Sequence, residues 1–235
     1  MNQIKRGRPK GFDQQDALAK AMLLFWRNGY VATSISDLTH ELGITAPSLY
    51  CAFGDKASLF NQCIDYYLMN EACPILSIVK QAKTAKIAIE LLMYESAKRL
   101  IQPNKPAGCM LITAAMNGAK QIEDVQLNVQ EKRKSYQEIL LERMRKGIAD
   151  GDVAPDAPIE AIVDFYITVI DGFTIQACDG IELERLNQVI FNAMQVWPVL
   201  NSSQHKQNQD WIAPLVSELG GAIFKWLINL HQQGW

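Results

Sequence analysis

The sequence predicts an all-α protein, and three observations support this fold class. Apolar residues recur at helical spacing along most of the chain. No sustained alternation of apolar and polar residues indicates a β-strand. Glycine, proline and capping residues interrupt the pattern where helices would end. The chain has 235 residues, of which 49% are hydrophobic and 20% charged, so an ordinary globular core is expected.

Three short helices are predicted at the N-terminal end. Asp13 is a candidate N-cap for a first helix that ends near Asn28-Gly29. The next two helices, over 34–42 and 45–53, are separated by Gly43, with Thr45 as the N-cap of the second. Such a tight connection is typical of a helix-turn-helix motif, whose second helix enters the major groove of DNA.

The third helix has one predicted buried face and one predicted outer face. Steps of 100° per residue from Leu49 place Ala46, Ala52 and Phe53 on the inner side. The same steps place four residues on the opposite side: Pro47, Ser48, Tyr50 and Cys51. An exposed tyrosine beside a serine suits contacts with phosphates or base edges.

Other candidate DNA contacts flank these two helices. Thr33-Ser34 precedes the second helix, so we expect its hydroxyls and free backbone N–H groups to face outward. Lys56 lies in the first turn of the fourth helix, where it can pair with a phosphate. Such residues are otherwise ordinary solvated side chains.

A basic arm precedes the helices. Residues 1–10 carry four basic side chains and no acidic one, although the whole chain has a net charge of −2. Arg6, Arg8 and Lys10 are therefore the expected main source of attraction to phosphate. Arg6-Gly7-Arg8-Pro9 is similar to the core of an AT-hook, whose arginines lie in a narrow A·T minor groove. The competing interpretation is a disordered tail that makes only non-specific phosphate contacts.

The rest of the chain also favours helices. The fourth helix is predicted over 56–70, and Pro74 either breaks it or soon follows its end. The later helices are predicted over 82–101, 107–119, 124–148, 158–177 and 183–197. The helix over 158–177 is apolar around much of its circumference, which favours pairing with its copy across a two-fold axis. Packing inside a monomer is the alternative. A polar linker and an additional C-terminal helix are expected over 201–235.

No signature of catalysis, of a cofactor or of a metal is present. The chain lacks a nucleophile elbow, a zinc-protease motif and a phosphate loop, and its three histidines are far apart: His40, His205 and His231. We therefore expect no enzyme activity and no cofactor. The five cysteines have no metal-ligand spacing and are expected to be buried or half-buried, with a redox role for one of them left open.

The helix-turn-helix segment resembles the TetR family of transcriptional regulators. The resemblance rests on one pattern: Thr33-Ser34-Ile35-x-Asp37-Leu38-x3-Leu42-Gly43-Ile44-Thr45-x2-Ser48-Leu49-Tyr50-x2-Phe53-x-Asp55-Lys56-x2-Leu59-Phe60. It implies a homodimer that binds an operator and is usually a repressor released by a ligand. It also implies a basic arm over 1–11, a DNA-binding domain over 12–55 and an effector-binding and dimerisation domain over 56–200. Carried over by position, the implied DNA contacts are Thr33, Ser34, Thr45, Ala46, Pro47, Ser48, Tyr50 and Lys56.

The ligand pocket is harder to predict. Methionines and tyrosines line adaptable apolar pockets, and the candidates are Tyr66, Met69, Met93, Tyr94, Met110, Met116 and Tyr166. Basic residues are sparse within the apolar helices, which favours a neutral or weakly polar organic effector. No uninterrupted apolar run approaches a membrane span, and no signal peptide is apparent, so a cytoplasmic location is expected. The alternative function is an architectural protein that binds A·T-rich DNA with little specificity and no ligand.

Overall fold

The computed structural model describes residues 13–116 and 123–197, and within these ranges it contains helices and no strand. The all-α prediction is confirmed. The helices, in chain order, are α1 (Gln14–Ala32), α2 (Ile35–Leu42), α3 (Ala46–Phe53), α4 (Lys56–Tyr67), α5 (Cys73–Gln81), α6 (Ala85–Leu100), α7 (Met110–Met116), α8 (Glu123–Asp150), α9 (Ile159–Cys178) and α10 (Leu183–Gln195).

The first four helices share one apolar cluster. Phe25 of α1 packs edge-on against Phe60 of α4, with ring centroids 5.0 Å apart, and Tyr30 packs edge-on against the same ring. Leu38 and Leu49 bring α2 and α3 into this cluster, and both are fully buried. The cluster also includes α7 and the start of α8, so it extends past the expected domain boundary at residue 55.

The second apolar cluster joins α5, α6, α9, α10 and the C-terminal half of α8. Tyr166 is fully buried in it and donates a hydrogen bond from its hydroxyl to the carbonyl of Ala193, at 3.3 Å. Arg143 is buried where α8 passes α5, and its Nη2 donates to the carbonyl of Ala82 at 3.2 Å. These contacts fix the bundle that surrounds the cavity described below.

Pro74 follows the end of α4, which agrees with one of the two expectations, but the helical path continues through it. A π-turn over Leu68–Ala72 follows α4 directly, and α5 begins at Cys73. Pro74 therefore lies in the first turn of α5, where a missing N–H removes no hydrogen bond within that helix. The wider π-turn interrupts the regular α-helical ladder just before α5 begins. The sequence does not predict α5, because a proline within a helical pattern is normally a stop signal.

Two other expectations need correction. Cys51 and Cys178 are exposed, whereas Cys63 is buried and Cys109 half-buried, so the expected burial applies to only two of these four. The helix α9 is long and apolar enough to cross a membrane, although it packs against α6 and α8 in this bundle. The expected linker and helix over 201–235 lie outside the described residues.

Candidate DNA interface and ligand cavity

The turn between α2 and α3 has the geometry that its sequence predicts. Gly43 ends α2 in the left-handed conformation, with φ of 63°, which glycine adopts without steric cost. Its backbone N–H donates to the carbonyl of His40 at 3.3 Å. Thr45 then caps α3, since its Oγ1 accepts a hydrogen bond from the N–H of Ser48 at 3.4 Å. These local bonds hold α3 at a fixed angle to α2.

The outer face of α3 is exposed as expected. Leu49 and Phe53 are buried, whereas Pro47, Ser48, Tyr50 and Cys51 point away from the core. The side chain of Tyr50 is 48% exposed, an unusual state for a tyrosine on so short a helix. Ala46 is half-buried at the start of the helix. The predicted amphipathic orientation of α3 therefore agrees with the structure, and the DNA contacts themselves remain a prediction.

Of the two hydroxyl residues before α2, Ser34 is exposed as expected and Thr33 is not. Ser34 forms a capping box with Asp37: the Asp37 N–H donates to Ser34 Oγ at 3.1 Å, and the Ser34 N–H donates to Asp37 Oδ2 at 2.8 Å. These hydrogen bonds lower the pKa of Asp37. Thr33, by contrast, is fully buried, and its hydroxyl donates to the carbonyl of Gly29 at 2.7 Å. The expectation that the Thr33 hydroxyl faces outward is wrong, because that hydroxyl closes the bend at Gly29.

Lys56 begins α4 and lies over an aromatic ring. Its Nζ is 4.4 Å from the ring centroid of Tyr30, which is a cation–π geometry. Partial burial lowers the pKa of Lys56, and the nearby Asp37 carboxylate acts in the opposite direction. The ring fixes where the ammonium group stands beside α2 and α3. The arm residues Arg6, Arg8 and Lys10 lie outside the described residues.

A cavity of about 340 Å³ opens between the two apolar clusters. Its apolar wall is formed mainly by Trp26, Leu100, Leu111, Ile112, Ile167 and Ile170. The wall therefore draws on α1, α6, α7 and α9, which are distant in sequence. A cavity of this size, with a mixed polar and apolar lining, is typical of a small-molecule site.

None of the six predicted pocket residues whose side chains the structure describes lines this cavity. Met93, Met110 and Tyr166 fill the two cores with almost no exposed surface, and Met69 is 71% exposed at the protein surface. Tyr66 and Tyr94 are half-buried elsewhere. The side chain of Met116 lies outside the described residues. Methionine and tyrosine side chains suit an adaptable pocket, and they fill a hydrophobic core equally well.

The polar part of the cavity lining contains more charged residues, and in particular more basic ones, than the sequence predicted. Arg99, Arg133 and Lys134 line the cavity together with Glu71 and Asp171. The carboxylate of Glu71 is paired with two cations: its Oε1 lies 2.5 Å from Lys105 Nζ, and its Oε2 lies 3.6 Å from Arg99 Nη1. The expected sparseness of basic residues does not hold here, because the C-terminal turn of α6 and the N-terminal half of α8 bring them to the cavity.

Asp171 is the acidic residue of α9 that lines the cavity. Burial raises the pKa of its carboxyl to about 6, although Arg133 acts in the opposite direction. Burial also raises the pKa values of the neighbouring Tyr136 hydroxyl and Cys109 thiol. A single charged residue in an apolar run was visible in the sequence, and this signal could have identified Asp171 as a functional candidate.

A hydrogen bond connects helix α1 of the N-terminal region to the loop that precedes α7 in the cavity wall. Trp26 of α1 lines the cavity, and its Nε1 donates to the carbonyl of Gly108 at 3.1 Å. Gly108 has φ of 81°, and a Cβ there would lie only 2.8 Å from Thr174 Cγ2. Trp26 also packs edge-on against Tyr67 at the end of α4, with ring centroids 4.9 Å apart. Side chains of α1 and α4, which pack against α2 and α3, thus form part of the wall.

Comparison with known proteins agrees with this geometry. Residues 17–63 match the family described as "Bacterial regulatory proteins, tetR family". The chain is 31% identical over 196 residues to the HTH-type transcriptional repressor ComR of Escherichia coli K12, covering 83% of this chain and 93% of ComR. It is 29% identical over 180 residues to the repressor BdcR of the same strain, covering 77% of this chain and 86% of BdcR.

A solved structure is similar over a comparable length. It contains a cysteine mutant of the TetR family transcriptional regulator CifR, complexed with 26-bp double-strand operator DNA. That chain is 37% identical, with a TM-score of 0.78, over 81% of this chain and all of CifR. The helix-turn-helix geometry and these likenesses lead to one conclusion: the chain belongs to the TetR family and is a DNA-binding transcriptional regulator.

Proposed function

We propose that this protein is a ligand-responsive repressor that binds a palindromic operator as a homodimer and leaves it when a small organic molecule fills the cavity. The observation that carries the proposal is the position of Trp26, in the cavity wall and on a helix that packs against the DNA-binding helices. Its ring lines the cavity, while its helix α1 packs on α2 and α4. An occupant of the cavity therefore acts directly on the helices that position α3.

The exposed face of α3 supports operator reading. Ser48 and Tyr50 project from it, Thr45 and Ser34 lie at the ends of helices, and Lys56 stands beside them. We infer that these groups, with Ala46 and Pro47, contact the major groove and its phosphates. The basic arm would add contacts through Arg6, Arg8 and Lys10. The relatives ComR and BdcR are repressors, which supports the same role here in the cytoplasm.

Exposed apolar surface on α9 and α10 supports the homodimer. Ile175, Val189 and Phe191 are each more than 40% exposed, and Phe191 reaches 56%. Burial of one such ring contributes about 2 kcal/mol to association. In a two-fold symmetric dimer each contact occurs twice, so its contribution is doubled. The two helices from each protomer would form a four-helix arrangement. This arrangement would place two copies of α3 on the same side of the dimer.

Selection of bound fragments from a random DNA pool tests operator recognition. We expect a palindromic winner that binds two protomers, measured by analytical ultracentrifugation of the complex. Enrichment of A·T-rich DNA without a palindrome would contradict the proposal and favour an architectural role. A monomeric complex on a single half-site would contradict the homodimer.

The link between cavity and DNA is tested with Trp26→Phe. This variant keeps an aromatic ring beside Tyr67 and removes the N–H that bonds to Gly108. Loss of one such hydrogen bond costs about 1 kcal/mol. If the bond links the cavity wall to the DNA-binding helices as proposed, a cost of this size corresponds to a change of about fivefold in operator affinity. Trp197→Phe is the matched control, since Trp197 is also buried but packs on Tyr166. Equal affinities for both variants would contradict the coupling.

A further inference from the structure

Asp171 is a carboxylate without a local partner. It accepts no hydrogen bond and forms no ion pair within the described part of the chain. Burial in the cavity wall outweighs the attraction of Arg133, because the pKa of Asp171 is raised and not lowered. A partly buried carboxylate that lacks a full counter-charge is unfavourable unless it serves a ligand.

The positive charges around the cavity do not neutralise Asp171. Arg99 is committed to Glu71, whose second oxygen is held by Lys105. Arg133 and Lys134 are exposed side chains on α8, in contact with solvent. Their charges are therefore screened by water far more than that of Asp171. The wall of α9 remains the acidic side of the cavity.

A second polar group without a partner lies one turn further along the same helix. Thr174 is 1% exposed, and its Oγ1 has no hydrogen-bond partner among the described residues. Thr174 also lines the cavity, three residues after Asp171, so the two side chains are on one face of α9. Buried hydroxyls are almost always hydrogen-bonded, which makes an orphaned one at a cavity wall evidence of a ligand group.

The other lining residues also suit an organic cation. Trp26, Tyr67 and Tyr136 present aromatic rings to the cavity, and such rings attract cations through their faces. The remaining surface is aliphatic, contributed by residues such as Leu100 and Ile167. We propose that the cavity binds a small organic cation, namely a protonated amine on an apolar body, with its N–H groups directed to Asp171 and Thr174.

This proposal rests on the proposed ligand-responsive function and adds the class of ligand. An N–H group of the amine donates to the Asp171 carboxylate, and another donates to Thr174 Oγ1. Both acceptor groups on α9 then have a donor, and the carboxylate gains a counter-charge. The sequence alone favoured a neutral or weakly polar effector, and the orphaned acceptors on α9 are the reason for the change.

Three probes of equal length separate the ligand classes: octylamine, octanol and octanoate. Each is titrated calorimetrically into the purified full chain at a pH of about 8, where Asp171 and a free carboxylate are ionised and an alkylamine is protonated. We expect octylamine to bind at least about tenfold more tightly than the other two, since a charge-assisted hydrogen bond replaces a neutral one.

Two variants assign the preference to Asp171. Asp171→Asn should reduce octylamine affinity by about tenfold or more, and octanol affinity by less than about twofold. Asp164→Asn is the matched control, because it removes the same charge from an exposed position on the same helix. Thr174→Val, which keeps the shape of the side chain, should weaken octylamine binding severalfold.

Every outcome bears on the proposal. Tighter binding of octanoate than octylamine would overturn it and assign the site to an anion held by Arg99 or Arg133. Equal binding of all three probes, no binding of any, or an unchanged affinity in Asp171→Asn would also overturn it. Operator binding without any probe is measured separately on the same preparations. Loss of that binding would count against the proposed function, whereas intact binding with no amine preference counts only against the ligand class.

Discussion

Replacement of Asp171 by asparagine should stabilise the folded protein at neutral pH. Burial raises the carboxyl pKa from 3.8 to about 6, which corresponds to roughly 3 kcal/mol of free energy for the buried charge. Because the side chain is partly open to the cavity, solvent screening reduces this figure, and we expect a gain of about 1–2 kcal/mol. Asparagine has nearly the same shape and carries no charge, so the cavity wall is preserved.

The size of the stabilisation by Asp171→Asn depends on pH. The raised pKa means that the folded state binds the Asp171 proton more tightly than the unfolded state does. This stabilising contribution is complete below a pH of about 4 and is lost as the pH rises to about 6. Asparagine has no such dependence, so its advantage should appear across this interval and stay constant above it. Arg133, Tyr136 and Cys109 face the carboxyl, and all three are unchanged in the variant.

Urea denaturation followed by circular dichroism measures this prediction at a pH of about 4 and a pH of about 8. Asp164→Asn is again the control, because Asp164 is exposed on the same helix. The reasoning is refuted if Asp171→Asn is no more stable than wild type at the higher pH, or if its gain is equal at both values. A destabilised variant would mean that the carboxylate has a favourable partner in the folded protein.

Four further predictions concern the DNA interface and the cavity wall. Tyr50→Ala should cost more than about 1 kcal/mol of specific operator binding, measured by fluorescence anisotropy, with non-specific binding unchanged. Arg8→Ala should reduce the salt dependence of DNA affinity by about one unit of slope in a logarithmic plot. Ser34→Ala should lower the free energy of unfolding by about 1 kcal/mol, because the capping box is lost, and thermal denaturation checks this. Gly108→Ala should destabilise the fold by about 1–3 kcal/mol in the same assay, because φ is positive there and the new Cβ would meet Thr174. An equally stable Gly108→Ala protein would contradict the close approach.

The helix-turn-helix unit could be predicted because its determinants are local. Gly43 and Thr45 specify the turn by their own conformational and hydrogen-bonding properties, and the spacing of Leu49 and Phe53 specifies the buried face of α3. Thr33 escaped the prediction because its hydroxyl is used by the bend at Gly29, which interrupts α1. Gly29 was itself a visible signal, since the first helix was predicted to end near Asn28-Gly29, but nothing local indicated that the Thr33 hydroxyl would bond back to its carbonyl.

The cavity could not be predicted in the same way. It is a space left between helices, and its wall joins Trp26 to Gly108 across 82 positions of sequence. Residue type gives no information about such a space, since Met93 and Tyr166 fill cores although they suit a pocket equally well. Charge is a better indicator of the cavity than residue size. Asp171 is the charged residue within the apolar run over 165–178, and burial of a charge is costly unless the charge is paired.

The helix α4 connects the two sites over a short distance. Lys56 begins it beside α2 and α3, and Tyr67 ends it against Cys109 in the cavity wall, with the π-turn immediately beyond. Its 12 residues span about 18 Å. A tilt of about ten degrees about the cavity end would displace Lys56 by about 3 Å, which is the full length of a hydrogen bond. If Lys56 contacts a phosphate as proposed, a small rotation of α4 as a rigid body would break that contact, because the displacement grows with distance along the helix.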